Sequence, residues 1–146
     1  MTYELDYAIR RNPAELDSTG YMEIGPGRYS GEHWQDGFLF VCEDAFAMAE
    51  GILAKHFRDY DHFAMNEIPR EVGLRVIDEW RGAARSLPNS STSQALSLLN
   101  TDAAFRINLE SLVDSDRHQI AQMLRELSSE CTSFYESHDW VCVLGM

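Results

Sequence analysis

Residues 38–57 constrain the fold more than any other part of the chain, because an apolar run leads directly into an amphipathic helix. The run at 38–41 consists of strand-forming residues, and Glu43 and Asp44 follow it, where negative charge favours the start of a helix. Apolar side chains then recur every three or four residues, as on one buried helix face. These residues are Ala45, Met48, Ala49, Ile52, Leu53, His56 and Phe57. The pattern predicts a strand followed by a core helix over residues 43–58.

The same periodicity predicts two further helices, over residues 69–87 and 115–137. Pro69 suits the opening turn of the first, where a missing amide N–H costs little, and Ser115 suits the N-cap of the second. The apolar face of the first helix comprises Val72, Val76, Ile77, Trp80, Ala83, Ala84 and Leu87. That of the second comprises Ile120, Met123, Leu124, Leu127, Cys131, Phe134 and Tyr135.

Strand signals occur between these helices and at both ends of the chain. Residues 3–9 alternate between larger apolar and polar or small side chains, residues 21–24 form a second candidate, and 139–144 contain a continuous apolar run typical of a buried strand. Residues 94–113 favour a short helix and then a strand at 105–109, although helix and strand both remain open there. Five glycines between residues 20 and 37 lack the Gly-Lys-Ser/Thr of a phosphate loop, so they indicate turns.

These elements predict a single α+β domain over residues 1–146. We expect a mixed sheet of four to five strands, packed by the three main helices at 43–58, 69–87 and 115–137, with a buried C-terminal strand at 139–144. The chain is long enough to bury a core without metal or disulfide support. Its three cysteines, Cys42, Cys131 and Cys142, are odd in number and widely spaced, and we expect reduced thiols.

The charge of the chain limits its partners. With 24 acidic residues against 12 lysines and arginines, the net charge is −12, and Lys55 is the single lysine. Such a surface repels nucleic acid and anionic membranes and attracts basic partners, although acidity also simply keeps a protein soluble. The sequence has no apolar stretch of membrane-spanning length and no signal-peptide pattern at its start, so we expect a cytoplasmic protein that binds neither nucleic acid nor membrane.

One cluster has the residue types of a metal site. His56, Asp59, Asp61 and His62 would supply two imidazoles and two carboxylates, as zinc and manganese sites do, and they suggest a small metal-dependent enzyme as an alternative function. The competing interpretation places His56 on the core face of its helix and the two aspartates in a loop that ends it. We favour the second interpretation, and we expect no catalytic residue, no metal and no cofactor.

Aromatic residues flanked by acids suggest a protein-binding surface instead. Two predicted loops carry this combination, and aromatic side chains are common anchors in protein interfaces. The residues expected to bind a partner are Glu32, Trp34, Asp36, Asp59, Tyr60 and Asp61. The alternative is that the loop aromatics only close the edges of the core.

A short, strongly acidic α+β chain without a catalytic motif resembles the immunity proteins of bacterial polymorphic-toxin and contact-dependent inhibition systems. The resemblance is carried by the loop Tyr60-Asp61-His62-Phe63, the helix at 69–87 and the closing segment 140–146. It implies a non-enzymatic protein that binds a cognate toxin domain, often a basic nuclease, and occludes its active site. An adaptor protein with no toxin partner would share these features. Members of this type differ so much in fold that no residue role carries over.

Overall fold

The computed structural model describes residues 5–100 and 106–145, which form a sheet of five strands and four α-helices. The strands are β1 (Ile9–Arg10), β2 (Tyr21–Pro26), β3 (Leu39–Cys42), β4 (Met65–Pro69) and β5 (Trp140–Leu144). The helices are α1 (Glu43–His56), α2 (Arg70–Ser86), α3 (Thr92–Leu98) and α4 (Arg106–Ser137). The predicted α+β class is therefore confirmed, as is the buried C-terminal strand. Within the described ranges, no helix combines the length and the apolar character needed to cross a bilayer.

The sheet is antiparallel throughout, in the order β1-β3-β2-β5-β4. The predicted mixed sheet is wrong on this point, because every pair of neighbouring strands is antiparallel. The C-terminal strand β5 lies between β2 and β4, with four of its five residues buried. This interior position explains why its sequence is a continuous apolar run rather than an alternating one.

The strand β4 was not predicted from the sequence. Asn66 and Ile68 are buried, whereas Met65 is exposed, so the strand alternates over only a few residues. Pro69 was expected inside the second helix, but it is the last residue of β4, and α2 begins at Arg70. Proline suits both positions, because it has a φ angle compatible with either and donates no backbone hydrogen bond.

The predicted N-terminal strand is much shorter than expected. Only Ile9 and Arg10 pair with β3, and residues 3 and 4 of the predicted strand lie outside the described residues. Leu5 and Tyr7 are buried, and the Tyr7 hydroxyl donates a hydrogen bond of 2.9 Å to Asp116 of α4. The alternation in this segment therefore reflects packing against the helical layer rather than strand pairing.

The segment at 94–113 is helical at 94–98 and 106–113, with a turn at Leu99 and Asn100. The expected short helix is α3, and Ser91 caps it by accepting the backbone N–H of Gln94 at 3.1 Å. The predicted strand at 105–109 is wrong for residues 106–109, which begin α4, while Phe105 lies outside the described residues. The backbone of α4 leaves helical geometry at Asp116 (φ −113°, ψ 16°), next to the predicted start at Ser115. The N-cap predicted at Ser115 therefore lies at a kink within the longer helix α4.

The two faces of the sheet are buried in different ways. The inner face packs against α1, α2 and α4, and α3 joins the core through α2 and α4. The strands contribute to this main core Met22, Ile24, Leu39, Val41, Ile68, Val141 and Val143. The outer face carries Tyr21, Phe38, Phe40, Cys142 and Leu144. These outer residues are covered by loop side chains, namely Leu16, Tyr29 and Trp34. Loop side chains therefore shield the outer face from water, as the helices shield the inner face.

Helix α2 offers a matched test of how closely α4 packs against it. A Cβ atom added at Gly73 would lie 1.9 Å from the hydroxyl oxygen of Tyr135, which donates a buried hydrogen bond of 2.9 Å to the backbone of Ile68. We expect Gly73→Ala to lower the free energy of unfolding by about 1–3 kcal/mol through overpacking. A Cβ at Gly82 of the same helix meets nothing closer than the Arg85 side chain at 3.9 Å. Gly82→Ala should therefore raise that free energy by up to about 1 kcal/mol through helix propensity.

Chemical denaturation of both variants measures the two effects side by side. Equal stability of Gly73→Ala and the parent protein would contradict the close packing of α2 on α4.

Candidate partner-binding surface

Residues 27–37 cross the outer face of the sheet and are called the strap below. Gly27 and Gly37, at its two ends, have φ angles of +81° and +87°, which glycine adopts without steric cost. The backbone N–H of Gly27 donates a hydrogen bond of 2.7 Å to the carbonyl of Trp140, so the strap leaves the sheet directly beside β5. The glycine cluster seen in the sequence thus sets the path of one covering loop.

The first anchor of the strap is Glu67 on the edge strand β4. Its carboxylate accepts hydrogen bonds from the Arg28 guanidinium, at 3.2 and 3.3 Å, and from the backbone N–H of Tyr29 at 3.0 Å. These bonds hold the pKa of Glu67 below its usual range, the Arg28 hydrogen bond contributing most. The same guanidinium lies 5.0 Å from the centre of the Trp140 ring. One arginine therefore ties the strap to both β4 and β5.

The second anchor is Glu23, a carboxylate buried completely in the middle of the sheet. One oxygen is 2.6 Å from His33 Nδ1, and the other accepts the backbone N–H of Trp34 at 2.6 Å. The Trp34 ring stacks on Phe40 with centroids 5.9 Å apart, and its backbone has a left-handed φ of +59°. A buried carboxylate is tolerated only when its oxygens are paired in this way. Glu23 therefore requires the strap to be in place.

The strap carries three of the six residues predicted to bind a partner. Glu32 and Asp36 are exposed, as expected of charged contact residues. Trp34 is half-buried against Phe40, and its side chain already belongs to the core of the outer face. The structure places all three on one loop, where the two acids are presented to solvent on either side of the tryptophan.

The other three predicted residues lie in the loop after α1. Asp59 and Asp61 are exposed. Tyr60 is half-buried, and its hydroxyl donates a hydrogen bond to Glu50 of α1, so this aromatic side chain has an internal role. Burial, together with the charge and the hydrogen bond of Glu50, raises the pKa of Tyr60 well above its ordinary value. The part these six residues play in binding stays a prediction.

The buried amide of Asn66 determines the shape of this loop. Its side-chain oxygen accepts the backbone N–H of Asp61 at 2.9 Å, and its amide donates to the Asp61 carbonyl at 2.8 Å. The same amide reaches the Val143 carbonyl of β5 at 3.1 Å. The Asp61 carboxylate in turn accepts the backbone N–H of Phe63 at 2.9 Å. The loop is thus fixed to the sheet by one residue of β4.

His62 links the same loop to α1 through both of its ring nitrogens. Nδ1 is 2.6 Å from a carboxylate oxygen of Glu50, and Nε2 is 2.5 Å from one of Glu43. With both carboxylates ionised, each only accepts a hydrogen bond, so this geometry favours an imidazolium ring whose two nitrogens both donate. Burial by itself lowers the pKa of His62, but the hydrogen bonds and charges of Glu43 and Glu50 outweigh it, and the pKa lies above its ordinary value of 6.5. Two negative charges face one positive charge, and a net charge of −1 remains.

Two large apolar side chains are exposed beside this ion cluster. Phe63 is 72% exposed and Met65 is 56% exposed, and the His62 ring contacts the Phe63 ring edge-on with centroids 4.7 Å apart. Together with the exposed Asp59 and Asp61 they form one surface, called the Phe63 surface below. Exposed aromatic and methionine side chains within an acidic border are typical of a protein-binding site.

The sheet register places Met65 of the Phe63 surface on the same face as the strap. Glu23, Leu144 and Met65 are directly paired across β2, β5 and β4, so their side chains point to the same side. Glu23 holds Trp34 of the strap, and Met65 lies two strands away, a distance of about 10 Å. The strap and Met65 therefore share one face of the sheet, although they are far apart in sequence.

The residues of the metal alternative do not come together as a ligand set. His56 Nε2 is 2.9 Å from Glu79 of α2, a carboxylate that also accepts a hydrogen bond of 2.9 Å from Lys55. His62 bonds to Glu43 and Glu50 instead, so the two imidazoles belong to separate ion clusters. Among the described side chains, those of residues 5–100 and 113–145, no group of three or more from histidine, cysteine, aspartate and glutamate has an arrangement that could hold a metal ion.

Several residues important to this surface were missed from the sequence. The residues predicted to bind a partner do not include Phe63, and the exposure of Met65 follows from β4, which was not predicted. An alternating pattern of Met65, Glu67 and Pro69 against Asn66 and Ile68 was the signal that could have revealed this strand. No local sequence pattern shows that Glu23, Glu43 and Glu50 form these hydrogen bonds, because their partners lie in other elements.

Comparison of the chain with protein-family models, with curated proteins and with solved structures finds no match.

The His62 cluster makes the stability of the protein depend on pH. A raised pKa means that the folded state binds this proton more tightly, so the contribution of His62 is fully present below about pH 6.5 and is lost as the pH rises through the raised pKa. We expect His62→Gln to cost about 1–3 kcal/mol at pH 6 and less at pH 9.

Urea denaturation of the parent protein and the variant between pH 5.5 and 9 measures this difference, in which titrating groups that do not contact His62 cancel to first order. A difference that stays constant over this range would show that His62 is not held as an imidazolium.

Proposed function

We propose that this protein is a non-enzymatic binding module that neutralises a basic protein partner, in the manner of a bacterial immunity protein and its toxin. The observation that carries the proposal is the Phe63 surface, where an aromatic ring 72% exposed stands among exposed carboxylates on a chain of net charge −12. Large exposed apolar groups cost free energy unless a partner covers them.

The acidic residues and the apolar residues of the surface have different tasks. Asp59 and Asp61 attract a basic partner over several ångströms and so raise the rate of encounter. Phe63 and Met65 lose water only after docking, so they slow the dissociation of the complex. Because Tyr60 and Trp34 already have partners within the protein, the proposal assigns the anchoring role to Phe63.

The strap supplies the second border of the proposed interface. Glu32 and Asp36 are exposed on the sheet face that also carries Met65, and they add negative charge on the opposite flank. A partner that spans both flanks would contact the two predicted acidic segments at once. Hydrogen bonds to Glu23 and Glu67 hold the strap in position, so binding requires little further ordering of the strap.

The first experiment captures the partner. The tagged protein is incubated with lysate of the source organism at low and at high salt, and bound proteins are identified by mass spectrometry. The proposal predicts one stoichiometric basic protein that salt releases. Expression of that protein alone in a bacterial host should arrest growth, and co-expression with this chain should restore it. Binding without growth arrest would favour the adaptor function, which uses the same surface but blocks no toxin.

The acidic part of the surface is tested with isosteric variants. Replacing Asp59 and Asp61 by asparagine removes two charges and preserves the hydrogen bond that Asp61 accepts from Phe63. We expect the association rate with the captured partner to fall by about tenfold at low salt, and its salt dependence to weaken. The matched control replaces Glu71 and Glu136, two exposed acids at the opposite end of the sheet, by glutamine. If both double variants lost association rate equally, the effect would come from the net charge of the whole molecule and not from the Phe63 surface.

The apolar anchor is tested by truncation. We expect Phe63→Ala to increase the dissociation rate of the complex by about thirtyfold, the size typical of a hot-spot aromatic, while leaving the association rate nearly unchanged. Leu74→Ala is the control, because Leu74 is a 42% exposed apolar residue on α2. Stopped-flow or surface-plasmon kinetics measures both variants. Identical dissociation rates for parent and Phe63→Ala would place the anchor elsewhere.

A further inference from the structure

The strand order leaves β4 at one edge of the sheet. It pairs with β5 through Met65 to Pro69, and in the described part of the chain no strand lies on its other side. An edge strand has backbone N–H and C=O groups that point away from the sheet, and these groups can pair with a strand of another molecule. Which residues present them follows from the register.

The hydrogen bonds at the two ends of the pair establish that register. The backbone N–H of Gly145 donates to the carbonyl of Ala64 at 2.9 Å, and that of Arg70 donates to the carbonyl of Asp139 at 2.9 Å. In an antiparallel pair the hydrogen-bonded positions alternate, so residues 64, 66, 68 and 70 face β5. Met65 and Glu67 therefore direct their backbone groups outward, and no other described residue is bonded to these groups.

We propose that an extended, basic segment of the partner adds to this edge as a sixth strand, pairing with Met65 and Glu67. The inference rests on the proposed function and specifies how the partner is held. Strand addition would provide hydrogen bonds that do not depend on partner sequence, while the Phe63 surface beside it would select for positive charge and apolar contact.

Charge decides between the candidate occupants of this edge. Asp59 and Asp61 lie just before β4, whereas the Glu67 carboxylate is already paired with Arg28. A second copy of the chain would bring another net charge of −12 to the same place and be repelled. A lysine- or arginine-rich strand is instead attracted and can place apolar side chains against Met65.

The two edges of the sheet are not equivalent. At the opposite edge, β1 has only two residues, and one of them is Arg10, followed by Arg11. Arg10 is paired with Asp6 and Arg11 with Glu130, so the acids beside this edge are already neutralised and attract a basic strand less. On β4, Pro69 has no N–H to donate, so pairing ends after Glu67. The proposal therefore predicts a short and exact footprint at one edge only.

A synthetic peptide of alternating lysine and valine is the first probe. Amide hydrogen exchange, followed by NMR, should show that saturating peptide slows the exchange of the Met65 and Glu67 amides by about tenfold or more, while the amides of β1 are unchanged. The matched control is the same peptide with N-methyl groups on alternate residues, which keeps the charge but removes the donors that strand pairing needs. It should bind more weakly and protect neither amide.

A variant pair tests the same point from the protein side. Met65→Pro removes an outward-facing N–H without removing a bond to β5, whereas Met65→Ala removes the side chain and keeps the N–H. We expect Met65→Pro to weaken peptide binding at least threefold more than Met65→Ala does.

Every outcome of these measurements bears on strand addition. Absence of peptide binding, equal binding of the methylated peptide, or binding without protection of Met65 and Glu67 would each overturn it. The proposed function is judged separately, by the captured partner and its dependence on Asp59, Asp61 and Phe63. If that partner binds and neutralisation is observed while the β4 amides in the complex exchange as in the free protein, only the strand-addition inference fails.

Discussion

A sheet covered by helices on one face only must bury its other face by some other means, and this constraint shapes the structure. The outer face carries an apolar cluster that would otherwise meet water, together with the carboxylate of Glu23 at its centre. The strap resolves both problems, because its aromatic side chains cover the cluster and its His33 and Trp34 groups bond to Glu23. The apolar cluster and the buried charge therefore require the same loop.

The candidate surface is a consequence of this arrangement. The strap is anchored on β4 through Glu67, and the loop before β4 is anchored through Asn66, so two irregular segments are held by residues of one edge strand. The ion cluster around His62 fixes the second segment to α1 as well. Tyr60, His62 and Asn66 form hydrogen bonds within the protein. Phe63 and Met65 are the large apolar side chains that stay exposed beside them. The contacts of Glu67, Asn66 and His62 therefore hold a partly apolar surface with an acidic border in place.

Predictions from periodicity succeeded where many residues repeat one pattern. The helices at 43–58 and 69–87 were located to within two residues, since their apolar faces span several turns. The strand β4 was missed because its alternation is short, with only Asn66 and Ile68 of its five residues buried, and gives a much weaker signal than the helices do. Glu23 was missed for a different reason. Alternation in a strand places a charged residue toward solvent, and only the later strap makes that position interior.

The amino-acid sequence by itself determined the α+β class, the core faces of the helices, the buried C-terminal strand and the acidity of the surface, because these depend on composition and on spacing along the chain. Only the tertiary structure decided that the sheet is antiparallel, that Glu43, Glu50 and His62 form one ion cluster, and that Phe63 rather than Tyr60 is exposed. Those outcomes depend on which distant groups meet. The Tyr60 hydroxyl reaches Glu50, so its ring is half-buried, whereas the ring of Phe63 packs edge-on against His62 at the surface and stays exposed, although its apolar character alone favours burial.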